Sequence, residues 1–569
     1  MSAQSWSLSQ PEGGIVHERE VAIPLPDGIS LHCAITRPSA PGRYPVLLGV
    51  HAYSMDDQFT DLMPEGMSHK RGHMEAGDST FFARRGYAHA VVNIRGTGKS
   101  GGDFGNLDAR SIADIADVVE WLASRAWANG RVAMTGVSYF SIVSQRVAAL
   151  SPPSLRCIWA PYGWNDAYRD RYYHGGILSY GFMRGWLRNV AGMKIGEAHA
   201  ARMRSADMKC AIDALRGDPE IAAVPFLADC LAAPDSGTNP VMIDILAHRF
   251  DGAFWRERSV DFGKGIDVPA TLGGCWGIYG LHLPGAFRAF EHWRGPRRMM
   301  IGPSVYLDRP VYQYQYDQLR WFDHWLKDND TGILNEASVQ TFIDRTGEWK
   351  DTNSWPLPGT RWTPFHLHDG GILSEREPFR GSDTTSFEDA PGSHGEARFV
   401  TPPMVEATEI CGPIALKLFA STSDSELLVF ASLLEIAPDG AERLLTRGWL
   451  RGSQRKLDAE KSKPWQPYHT HTSREALHPR EVTEFDVEIR PYGILLQPGY
   501  QLALRLKCAD DEKPQHDLQW IAQGHLHRPV ASTVTIHHSP EYPSRLLLPV
   551  TRGNRIGTFF SGGQVMLSS

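Results

Sequence analysis

The run Gly136-Val137-Ser138-Tyr139 carries the residues of an acyl-transfer site. A serine held on a sharp strand-to-helix turn exposes its hydroxyl above a sheet edge, and the next residue's backbone N–H lies where an oxyanion would develop. Ser138 is the candidate nucleophile position and Tyr139 the backbone donor. The usual elbow has a second glycine two places after the serine, whereas Phe140 stands here. An ordinary turn serine is the competing reading, and only the flanks distinguish the two.

Those flanks read as the elements that would position such a turn. Arg131 to Val137 is an apolar strand, and Val143, Val147 and Leu150 repeat at helical spacing behind it. In front, Leu107 to Trp127 places Ile112, Ile115, Val118, Val119 and Leu122 at the same period. Helix, strand, elbow, helix is the order of an α/β-hydrolase core. Further upstream, Val16 to Pro38 alternates as two strands about Pro26-Asp27-Gly28, and Tyr44 to Val50 is a buried-type strand ending at His51-Ala52-Tyr53-Ser54. Sites form at the carboxyl ends of parallel strands, so His51 and Tyr53 are candidates to face this one.

Length and composition bound the rest. The 569 residues exceed what one hydrophobic core holds, so two or three domains are expected. A formal charge of -7 with no basic run argues against nucleic acid or an anionic membrane as partner. Seven cysteines without a CxxC pair suggest free thiols, and the N-terminal segment lacks a signal-peptide pattern; a cytoplasmic protein is expected. No cofactor or metal is expected: His69 and His73 lie four apart, but glycines surround them and no third ligand is evident.

Arg95-Gly96-Thr97-Gly98-Lys99-Ser100-Gly101 fits a glycine-rich phosphate template formally. The template fails on context, because Asn93 stands where the P-loop needs glycine and no apolar helix opens at Gly101. From Cys157 to about Gly265 aromatic and then helical patterning replaces the alternation of strands and helices, as in a cap over strand ends. Val268 to Gly274 resumes the sheet, and after the Pro/Gly-rich linker Trp355 to Gly359 short alternating strands continue to about residue 550. The expected domains are 1–160 with 265–355 for the α/β part, 161–264 for a helical cap, and 360–569 for a β-sandwich.

Over essentially its whole length the chain resembles the cocaine-esterase-like and X-prolyl dipeptidyl-peptidase hydrolases. The matching stretches are Ile94 to Ser100, Gly136 to Tyr139, Tyr168-Arg169-Asp170 with Gly175-Gly176, Phe322 to Lys327, and Gly347-Glu348-Trp349 with Ser354-Trp355-Pro356. The resemblance implies an α/β-hydrolase domain with a helical cap, a C-terminal jelly roll, and Ser-Asp-His chemistry on esters or amides. It implies Ser138 as nucleophile, with Tyr53 and the Tyr139 N–H as the oxyanion hole. The other triad positions do not carry over. The segment where the family keeps its aspartate reads Cys275 to His282, with Gly277 and Ile278 unable to ionise, and the histidine segment reads Gly302-Pro303-Ser304-Val305-Tyr306.

A serine without a base loses on the order of a million-fold in turnover. The leading expectation is therefore a hydrolase fold with a degenerate triad, repurposed for cyclisation, isomerisation or elimination on a carbonyl-containing small molecule. A serine hydrolase with a relocated base, His282 or His51 with Asp308 or Asp56, is the alternative, and a silent binding homologue the third reading. Trp276, His282 and Tyr306 are the further pocket candidates, Tyr306 as a phenol donor in the vacated histidine space. Trp159, Trp164, Tyr168, Tyr172, Tyr173 and Trp186 suggest an aromatic or apolar ligand, or packing of cap on core. A homo-oligomer is compatible with the sequence.

Overall fold

A computed structural model describes residues 7–56, 58, 75–190, 192–304, 315–378, 383–510 and 522–554. The expected excursion 56–76, with His69 and His73, falls almost wholly outside them, as do Tyr306 and Asp308.

Ten strands form the first sheet: β1 (Ile15–Pro24), β2 (Ser30–Pro38), β3 (Tyr44–His51), β4 (Ala88–Asn93), β5 (Ala128–Thr135), β6 (Leu155–Pro161), β7 (Ala270–Cys275), β8 (Arg297–Gly302), β9 (Val339–Ile343) and β10 (Glu348–Thr352). They lie in the order β1-β2-β4-β3-β5-β6-β7-β8-β9-β10. The run from β4 to β9 is parallel, with antiparallel pairs at both edges. Helices cover both faces, so the central strands are buried throughout: every residue of β4 and β7, and all of β3 after Tyr44.

The helices begin where local chemistry starts them. Asp78 caps α1 (Ser79–Ala83) by accepting from the Phe81 N–H at 3.0 Å, and Asp108 caps α2 (Ala109–Ala123) through the Ser111 N–H at 2.9 Å. The apolar positions of α2 read from the sequence are its buried face. Helix α3 (Tyr139–Ala148) follows the elbow directly. The Arg95 to Gly101 loop is structural: the Ser100 hydroxyl donates to the Asn93 carbonyl (2.6 Å) and accepts from the His32 N–H (2.8 Å), tying β4 to β2.

Between β6 and β7 the chain leaves the sheet. A π-helical turn (Ala167–Tyr172) and a tight strand pair come first, then α4 (Gly181–Asn189) and short helices from Glu197–Met203 to Ala253–Arg258. Helix α5 (Leu283–His292) follows β7, and α6 (Gln315–Lys327) precedes β9. The C-terminal part is all-β, a twelve-stranded sheet among the described residues, from Arg361–His368 to Arg545–Arg552. Its longest pairing joins Thr408–Thr422 to Thr483–Leu496. All nine residues of Leu428–Ile436 are buried. The architecture is an α/β-hydrolase domain with a C-terminal all-β jelly roll.

The all-β part grips the rest through buried polar contacts. Arg451, 2% exposed, pairs with Glu220 of the cap and with Glu426 at 3.0 Å, and Arg528 reaches Glu220 at 3.0 Å. Gly175 in the cap has φ 53° and its Cα faces the Trp449 carbonyl so closely that no side chain fits.

Candidate active site

Ser138 sits between β5 and α3 with φ 56° and ψ −120°, a conformation that L-residues adopt only under local constraint. Gly136, at φ 125°, makes the turn possible, since a Cβ there would lie 2.6 Å from the Phe140 Cβ. Tyr139 is the first residue of α3, so its N–H is among the donors the helix cannot bond itself. The residue in place of the elbow's second glycine, Phe140, is fully buried and stacks on His51 with ring centres 5.2 Å apart. The space it needs is taken from β3, where a Cβ on Gly49 would come within 3.1 Å of the Phe140 ring.

Ser138 has a histidine partner. The His282 Nε2 lies 3.1 Å from the Ser138 Oγ. His282 stands at the start of α5, just past the carboxyl end of β7, in the segment where the resemblance places an aspartate. Its ring is buried, and burial first, then the positive charge of Arg171, lowers its pKa to about 3. It is therefore neutral at ordinary pH and able to accept a proton. Its Nδ1 has no hydrogen-bond partner among the described residues.

Tyr53 stands beside the serine: the indole Nε1–H of Trp186, on α4, donates to the Tyr53 hydroxyl at 3.3 Å, and that hydroxyl is near enough to the Ser138 side chain to interact with it. Indole nitrogen only donates, so the Tyr53 oxygen accepts there and keeps its own proton to donate. Burial raises the Tyr53 pKa above the ordinary phenol range, so it stays a donor. The side chain of Asn93 holds the Tyr53 carbonyl at 2.9 Å. Of the expected site residues, Ser138, Tyr53, Tyr139 and His282 thus come together.

Others do not. Trp276 is not a pocket residue: its indole, fully buried, donates to the Phe342 carbonyl at 2.8 Å and packs against Phe287 and Tyr492, facing the all-β part. His51 does not reach Ser138; its Nδ1 accepts from the Tyr53 N–H at 3.1 Å, and burial lowers its pKa to about 3. Of the aromatic cluster, Tyr168, Tyr172 and Tyr173 surround Trp255 as packing. Only Trp186 bonds to a site residue, while its ring stacks on Tyr139 at 6.3 Å.

Two groups at the site escaped the sequence reading. Glu75 is buried, its carbonyl accepting from the Val137 N–H at 3.0 Å, and burial raises its carboxyl pKa to about 8. Arg171 ends the Tyr168-Arg169-Asp170-Arg171 run and is 3% exposed. An arginine embedded among ring residues was the available signal for it.

Comparison with known proteins agrees with this fold. Residues 27–307 match the model of the X-Pro dipeptidyl-peptidase (S15 family), and residues 327–547 that of the X-Pro dipeptidyl-peptidase C-terminal non-catalytic domain. The chain belongs to the cocaine-esterase-like and X-prolyl dipeptidyl-peptidase family of α/β hydrolases. Within that family, the cocaine esterase of Rhodococcus sp. (strain MB1 Bresler) is 24% identical over 593 residues, covering 94% of this chain and 98% of the relative. A CocE/NonD family hydrolase from Staphylococcus aureus superposes with a TM-score of 0.79 at 23% identity, covering 96% of this chain and 99% of the other. An α-amino acid ester hydrolase does so with 0.73 at 18%, covering 97% and 99%. These likenesses show a shared fold over the full length.

Proposed function

We propose that this family hydrolase cleaves esters by acyl transfer to Ser138, with His282 as a relocated base. The observation that carries this reading is the 3.1 Å contact between the Ser138 Oγ and the His282 Nε2. In the first step the serine oxygen bonds the ester carbonyl carbon while His282 takes its proton. The Tyr53 hydroxyl and the Tyr139 N–H hold the oxyanion, and the alcohol leaves with the proton from His282. Water then repeats the sequence and frees the acid.

The non-hydrolytic expectation rested on a serine without a base, and a histidine within hydrogen-bond reach removes that premise. What the dyad lacks is a carboxylate on the His282 Nδ1, so the imidazolium formed in the reaction is unsupported, and Arg171 opposes it. Slow turnover of neutral esters follows.

Fluorophosphonate labelling tests the reading. The parent is expected to label stoichiometrically at Ser138, Ser138→Ala not at all, and His282→Ala far more slowly than the parent. A parent that does not label at Ser138 rules it out.

A further inference from the structure

Buried arginines in this protein are paired with carboxylates almost everywhere. Arg320 holds Glu336 at 2.6 Å, Arg298 holds Asp317 at 3.2 Å, Arg447 holds Asp510 at 3.2 Å, and Arg451 holds Glu426 at 3.0 Å. Arg146 binds two backbone carbonyls instead. Arg171 has neither. Among the described residues it makes no ion pair, its Nε is without a partner, and its one hydrogen bond goes to the Met183 sulfur at 3.3 Å. Its guanidinium lies against aromatic faces, 4.4 Å from the Trp186 ring centre and 4.9 Å from that of Tyr172. Rings soften the burial of a cation but do not neutralise it.

The cation belongs to the catalytic surroundings. Trp186, the ring it covers, donates to the hydroxyl of Tyr53, which stands beside Ser138. Among the described residues, Arg171 is also the cation whose charge acts on both His282 and Tyr53. The other ionisable groups near the serine, His51, His282, Tyr53 and Glu75, are held in their neutral forms by burial at neutral pH.

We infer that Arg171 receives a carboxylate of the substrate, so that the preferred substrates are esters bearing one carboxylate group. The inference rests on the acyl-transfer reading above. A single guanidinium, with no second cation acting on both His282 and Tyr53 among the described residues, balances a monoanion, which favours a carboxylate over a phosphate dianion. The bound anion also reverses the local electrostatics. With Arg171 neutralised, the imidazolium of His282 forms more readily, and the substrate supplies the negative charge that the dyad lacks.

Two ester pairs test this on the full-length protein. Monophenyl glutarate and phenyl methyl glutarate differ by one charge on the acyl side; 4-acetoxybenzoate and methyl 4-acetoxybenzoate differ on the leaving-group side. After correction for alkaline hydrolysis rates, the anionic member of at least one pair is expected to show kcat/KM roughly tenfold or more above its neutral partner. That ratio should fall to about one in Arg171→Met and persist in part in Arg171→Lys. In the parent itself, glutaramate, a monoanion, should slow fluorophosphonate labelling of Ser138 where neutral glutaramide does not, a readout that needs no variant to fold. Equal or inverted preference in both pairs, a preference that survives Arg171→Met, or absence of protection by glutaramate overturns the inference while normal labelling of Ser138 keeps the acyl-transfer reading. Absence of labelling in the parent overturns both.

Discussion

The contact between cap and jelly roll and the surroundings of Ser138 bury polar groups to similar depth and treat their charges in opposite ways. At the contact, Arg451 has Glu220 and Glu426, Glu220 has Arg528 as well, and the Ser453 hydroxyl donates to Glu426 at 2.6 Å. Around the serine, the His51 Nε2, one Glu75 carboxyl oxygen, the Tyr139 hydroxyl, the Arg171 Nε and the His282 Nδ1 have no partner among the described residues. A buried polar group without a partner costs about 1–3 kcal/mol. Single nitrogens go unbonded at the contact too, Arg451 Nε among them, so the difference lies in charge: the contact gives its buried cation two carboxylates and the serine's surroundings give Arg171 none, which separates charge that holds the architecture from charge kept open for a reacting molecule.

The contrast breaks most sharply on activity. Ser138→Ala and His282→Ala should each lower turnover of a p-nitrophenyl ester by about a thousandfold or more, while Glu426 variants that still fold keep it. A His282→Ala enzyme with parental kcat would remove the dyad from the comparison. Next in size is the saturated side. Arg451→Ala strands two buried carboxylates and should cost about 3–5 kcal/mol in denaturant unfolding; a loss under 1 kcal/mol would mean that the contact is solvated.

The effect of acid sharpens the open side. His282 has a pKa of about 3 in the folded protein and an ordinary value near 6.5 once unfolded. Between those values the unfolded chain binds the proton, so stability is complete above pH 6.5 and is lost as pH falls towards 3. Relative to His282→Gln, the parent should lose roughly 1 kcal/mol between pH 7.5 and 5.5. A constant difference across that range would show a histidine that titrates normally. The smallest effect is expected from Arg171→Met: loss of ring contacts offsets relief of an unpaired cation, leaving stability within about 1 kcal/mol of the parent. A loss as large as that of Arg451→Ala would place Arg171 among the architectural arginines.

Much of the frame was legible. Apolar runs, period-two alternation and helical spacing located β1 to β3, β5 and α2, because those patterns reflect burial of one face or both. The elbow and its Tyr53 partner followed from local sequence and resemblance. Trp276 and His282, six residues apart, show where reading stopped. Both stand after the carboxyl end of β7, and which of them faces the serine depends on the short helical turn Trp276–Ile278 and on the entry into α5, neither of which leaves a periodic signal. Arg171 was hidden for a different reason: a sequence shows a charge but not the absence of its counter-charge.

The stacking of Phe140 on His51 has a consequence for how the elbow can change. The volume that a second glycine would leave at position 140 is supplied instead by Gly49, ninety residues away on the neighbouring strand β3. The two positions share one parcel of space, so each constrains the other. A side chain added at Gly49 alone meets the ring at 3.1 Å, and truncating Phe140 alone leaves a hole beneath His51. A larger residue at 49 therefore needs a smaller one at 140 and also a shift of Ala76, whose Cβ lies 3.0 Å from the added carbon, so the three positions are expected to vary together.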